Sequence, residues 1–178
     1  MKDVFTIINE MASEIRALYN ITGVIDDVKK VVERMGGTVI EDTSIGAFSD
    51  GRVRKINNSS FEIAVSPFQT TKRKNFAIAY ELGHLFLHMG FKTNKVKWDN
   101  QDNGAYCGVC KGVYRNESSD LEYDATTFAL AFLMPRKLYK KQIDRYGNRV
   151  DTRQLAEYFH VPVSFAFIRG FSLGYFEW

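Results

Sequence analysis

The stretch FAIAYELGHLFLH, Phe76–His88, decides how this chain is read. Thr70 or Thr71 can cap a long helix that runs through about Met89 and stops at Gly90. On a helix, two histidines four residues apart share a face and can grip one metal ion, and a glutamate beside the first can activate a water on that ion. Here the three positions of that pattern hold Tyr80, Glu81 and His84. A phenol has an ordinary pKa near 10, so it ligates a metal well only after losing a proton that it keeps at neutral pH. Tyr80 therefore has two readings, a phenolate ligand or an aromatic ring that fills a vacated metal pocket. Loss of one of three protein ligands weakens zinc by orders of magnitude.

A second pairing lies on the same helix. His84 and His88 are also four apart, one turn or roughly 6 Å further along. Cys107 and Cys110 follow in CGVC, so His84, His88, Cys107 and Cys110 together could form a closed Cys2His2 site. Such a site is structural, because no coordination position stays open. Against it stand two plainer readings, a helix-end histidine and two free thiols in a loop.

Outward from this helix the pattern is mixed. Val4, Ile7, Ile8, Met11, Ile15 and Leu18 recur at helical spacing, which predicts an amphipathic helix over residues 3–19. Asp26 or Asp27 caps a second helix that buries Val28, Val31, Val32 and Met35 and ends at Gly36 and Gly37. TVIED, GAFSD, RVRKI and FEIAVS then read as short β runs, with NNSS (Asn57–Ser60) as a hairpin loop. They predict a small antiparallel sheet whose edge can lie along a bound peptide. Residues 91–119 read as a long irregular loop, and residues 136–150 as basic and polar. DLEYDATTFALAFLMP predicts a further helix stopped at Pro135, with Asp120 as its cap and Asp124 exposed.

Composition narrows the class. Of 178 residues, 45% are hydrophobic and 25% charged, which suits a packed core rather than disorder. A net charge of +3 is too small to argue for nucleic acid. No apolar run reaches the roughly 20 residues of a membrane span. Asp3, Glu10 and Glu14 interrupt the N-terminal apolar positions, so this is no signal peptide. The expected location is the cytoplasm.

NFAIAYELGHLFLH followed by LEYDATTFALAFLMP resembles the ImmA/IrrE metallopeptidases. The tail LAEYFHVPVSFAFIRGFSLGYFEW resembles the family's ending, with its V-S step, R-G pair and L-G before a final Trp. The likeness is close over residues 70–178 and holds only in outline before them. It implies an α+β fold, with the small sheet packed on a zincin-type helix pair across residues 1–150. Residues 151–178 would form a small helical segment packed on it. It implies zinc as cofactor, His84 and Glu122 as ligands, and Glu81 as the general base. Tyr80 and Thr126 depart from the family pattern, which usually has His and Asn there.

The tail has the rhythm of a helix-turn-helix, with His160 in the turn. Its second helix, SFAFIRGFSLG, carries Arg169 as its only charge, which is poor equipment for reading bases and argues for packing. The resemblance implies a protein partner, a helix-turn-helix repressor or another regulatory protein. The partner would be cut, or, if the site has degenerated, bound without cleavage.

Overall fold

The computed structural model describes residues 2–45, 50–104, 117–147 and 150–177. The run GAFSD falls largely outside them, as do Cys107 and Cys110.

Helix α1 (Val4–Leu18) starts at Asp3, whose carboxylate accepts from the Thr6 amide at 2.7 Å. Its buried face is Ile8, Ala12, Ile15 and Arg16, whereas Val4, Ile7 and Leu18 stay exposed. The apolar stripe read from sequence is thus wider than the face that packs. Helix α2 (Val28–Arg34) is capped by Asp27 and ends before Gly36, whose φ of +88° is the left-handed stop that glycine adopts freely.

Three strands follow: β1 (Gly37–Glu41), β2 (Gly51–Lys55) and β3 (Phe61–Val65). Their order is β1-β3-β2. The β2–β3 hairpin is antiparallel and turns through Asn57–Ser60, where the Asn57 side chain accepts from the Ser59 amide. Strand β1, however, runs parallel to β3, with Gly37 opposite Phe61 and Glu41 opposite Val65. The sheet is therefore mixed rather than antiparallel throughout. Period-two alternation sets which face of a strand is buried and carries no information about direction.

Val53, Ile63 and Val65 turn one face of the sheet toward helix α3 (Thr71–Gly83), which Thr70 caps. The helix widens into a π-helical turn over His84–Met89 and stops at Gly90, φ +85°. A short helix α4 (Lys95–Asp99) breaks the long segment read as irregular. Helix α5 (Glu117–Leu133) begins earlier than the sequence suggested, so Asp120 lies inside it rather than at its cap.

Helix α6 (Arg136–Tyr146) occupies the basic stretch after Pro135. Leu138 and Ile143 pack on the core and Tyr139 is fully buried, a periodicity that the surrounding Lys and Arg residues mask. Helices α7 (Thr152–Tyr158) and α8 (Val163–Ser172) flank the His160 turn. They are fastened to the rest by the Phe165 ring stacked on Phe76 and by the Tyr139 hydroxyl donating to the Ala166 carbonyl at 2.6 Å. Arg169 is turned inward, 1% exposed, and donates to Met134 O and Asn9 Oδ1. Among the described residues no helix is long and apolar enough to cross a membrane.

Candidate metal centre

The site forms where α3 crosses α5, and the crossing is close. A Cβ built on Gly83 would lie 2.9 Å from both Cα and O of Ala125. Only backbone-to-backbone approach at this point lets side chains on the next turn of each helix converge. His84 follows Gly83 and Glu122 lies three residues before Ala125. His84 Nε2 and Glu122 Oε1 stand 3.9 Å apart. His84 is completely buried and its Nε2 has no hydrogen-bond partner among the described residues, while the Glu122 side chain is 44% exposed. Burial raises the Glu122 pKa above the usual carboxylate range.

Glu81 is 1% exposed. The absent side chain of Gly51, the first residue of β2, makes room for it: a Cβ there would be 3.2 Å from Glu81 Cγ and 3.3 Å from Oε1. The glycine thus admits the carboxylate between helix and sheet. No pattern of spacing in the sequence signals this contact. Tyr80 is half-buried, and its ring stands edge-on to the His84 imidazole at 4.7 Å between centroids.

The outer edge of β2 is occupied at one end. The Gly104 amide donates to the Lys55 carbonyl at 2.7 Å, and the buried Lys55 ammonium donates to Trp98 O and Gln101 O. The segment from Trp98 to Gly104 is thereby clamped beside the strand.

His88 sits one turn beyond His84, with the two Nδ1 atoms 2.8 Å apart and ring centroids at 4.9 Å. That separation is hydrogen-bond distance. Asp124 is half-buried rather than exposed. Burial raises its carboxyl pKa, while His88 lowers it from within electrostatic reach. The residue that α5 turns to solvent at this level is Tyr123.

Tested as a metal site, the donor set fits a divalent cation at two protein positions. The orphaned Nε2 of His84 and the Glu122 carboxylate lie too far apart to bond each other, and both face the same gap. Among the described residues, no group of three or more His, Cys, Asp or Glu side chains converges to hold an ion.

A helix with Glu81 and His84, faced by a helix with Glu122, is the framework of a metallopeptidase-like protein. The chain belongs to the Peptidase_M78 family, whose IrrE N-terminal-like domain matches residues 37–169. Among solved structures it is similar to a Mycobacterium tuberculosis transcriptional regulator, at 18% identity and a TM-score of 0.56. The match covers 89% of this chain and 44% of the other, so the chain spans less than half of that relative's length. No curated protein matches the chain.

Proposed function

We propose that this chain is a zinc-endopeptidase-type protein with a weakened metal site that acts on a regulatory protein of the helix-turn-helix repressor class. The observation that carries the reading is the convergence of the His84 Nε2, unpartnered among the described residues, and the Glu122 carboxylate, with the buried Glu81 on the same helix as His84. His84 and Glu122 would hold the ion, with the Tyr80 oxygen as the weak third donor. The chemistry such an ion supplies is Lewis acidity toward a water and a peptide carbonyl. Glu81 accepts the proton of the attacking water and delivers it to the leaving amine. A zinc-activated site of this kind needs a base that is sheltered yet adjacent, which suits a carboxylate wedged beside Gly51.

A second reading is favoured by Tyr80. A phenol in the first ligand position suits a module that binds its regulatory partner without cutting it. Metal analysis of the purified protein, followed by zinc titration, separates the two. The first reading expects zinc lost on His84→Ala and on Glu122→Ala. Absence of stoichiometric metal in the wild type, with tight zinc and partner cleavage gained on Tyr80→His, establishes the second.

A further inference from the structure

A second concave surface lies toward the other end of α5 from Glu122, roughly 14 Å further along the helix. There a groove of about 700 Å3 is bordered by α1, by Ala131 and Pro135, and by the start of α6. Its charges do not balance within the fold. The Arg169 guanidinium lines the groove at 1% exposure and spends Nε on Met134 O and Nη2 on Asn9 Oδ1. Its third nitrogen, Nη1, is buried and has no acceptor among the described residues. Burial lowers the Arg169 pKa to about 10; the Tyr139 phenol opposes this, and the positive charge of nearby Arg136 adds to it. Arg136 and Lys137 line the same groove and are exposed, and among the described residues neither makes an ion pair.

Helix α6 adds a further set of donors. Pro135 stands at its N-cap, and no side chain accepts from its first amides. The 11 residues of the helix turn the positive end of their dipole to this place. The acidic residues of the groove, Glu10 and Glu14, both belong to α1, and Glu10 is tied to Lys2 at 2.6 Å. The α6 side is therefore cationic, and its charge calls for a compact anion that stays clear of the α1 carboxylates. A carboxylate has two oxygens, whereas a phosphate group has three or more in a tetrahedral array. Only the second can meet helix amides, a guanidinium and an ammonium together.

We propose that this groove binds a phosphate group, free or carried by a small molecule, at the uncapped start of α6, held by Arg136 and Lys137 over the buried, unpartnered Nη1 of Arg169. The site lies outside the candidate metal centre and stands whether or not zinc binds.

The test titrates inorganic phosphate into the 15N-labelled full chain at constant ionic strength, with chloride as the exchanged anion and a chelator present. Saturable shifts are expected at the Arg136, Lys137 and Leu138 amides and at the Arg169 Nε–H. Arg136→Gln combined with Lys137→Gln should weaken binding about tenfold or more. Pro135→Asp places a carboxylate at the N-cap, so the chain supplies its own anion to the same amides, and phosphate should again bind about tenfold more weakly. Adenosine monophosphate separates the two sources. Tighter binding than inorganic phosphate assigns the site to a carried phosphate, and equal or weaker binding assigns it to the free ion. The proposal is overturned by an absence of saturable shifts, by shifts confined to other parts of the chain, or by acetate binding as tightly as phosphate. Unchanged affinity in both variants overturns it too. If the double variant does not fold, Pro135→Asp and the wild-type shifts decide alone.

Discussion

Gly83 and Ala125 touch backbone to side-chain position, with 2.9 Å between the place of a Gly83 Cβ and the Ala125 Cα. This contact sets how closely α3 and α5 approach, and the approach brings His84 within 3.9 Å of Glu122. The neighbour is main chain, which cannot swing aside as a flexible side chain would. Gly83→Ala should therefore destabilise the protein by about 1–3 kcal/mol through overpacking. It should also separate His84 from Glu122. Chemical denaturation reads the first effect. Zinc titration of the folded variant reads the second, and unchanged affinity would detach the helix spacing from the site.

Glu122 gives a dependence on pH in the metal-free protein. Burial raises its folded pKa above the value of the unfolded chain. The protonated carboxyl is the form that the fold favours, so its contribution is fully present below the unfolded pKa. That contribution is lost as pH rises through the folded pKa. Denaturant midpoints of the wild type should fall over that window, and those of Glu122→Gln should fall less. A bound cation would reverse the preference, so saturating zinc should flatten the difference. Parallel pH profiles for wild type and Glu122→Gln would show that the carboxyl does not feel its surroundings in this way.

Much of this arrangement was legible in the sequence because it rests on local rules. Asp27 and Thr70 announce helix starts, and Gly36 and Gly90 announce stops, through bonds made within a few residues. The family pattern around Glu81, His84 and Glu122 marked the helix pair. What escaped depends on partners distant in sequence. The parallel course of β1, the Gly51 notch beside Glu81 and the half-buried Asp124 near His88 follow from packing alone. Helix α6 escaped for another reason: Lys and Arg crowd its surface, and only Leu138, Tyr139 and Ile143 mark the inner face.

Lys55 anchors the chain as it leaves β2. Its ammonium is buried, lies over the Trp98 ring at 5.1 Å, and donates to Trp98 O at 2.9 Å and Gln101 O at 2.8 Å. Lys55→Met keeps the aliphatic bulk and leaves both carbonyls without that donor. Relief from burying a charge offsets part of the loss, so a cost of about 1–3 kcal/mol is expected. Hydrogen exchange should quicken at the Gly104 amide, which bonds the Lys55 carbonyl. Exchange that rises uniformly across the protein instead would show that Lys55 serves global stability and not this segment.

The end of α5 is held from two sides by buried arginines. Arg16 donates to Phe132 O at 2.6 Å and to Gly23 O, and Arg169 donates to Met134 O at 3.0 Å and Asn9 Oδ1 at 2.8 Å. Cations suit this place, because the last carbonyls of a helix lack partners within it and carry the negative end of its dipole. Among the described residues neither head group bonds a carboxylate, and burial lowers each pKa to about 10. A lysine cannot reproduce the planar fork that reaches the Met134 carbonyl just past α5 and an amide on α1 together. Arg169→Lys should then lose one of the two bonds and destabilise by about 2 kcal/mol, with Arg169→Met worse because Met134 O and Asn9 are both left unpaired. Thermal unfolding ranks the three proteins. If methionine proves as stable as arginine, the guanidinium contributes shape rather than hydrogen bonding, and the hold on α5 comes from apolar packing of α8 alone.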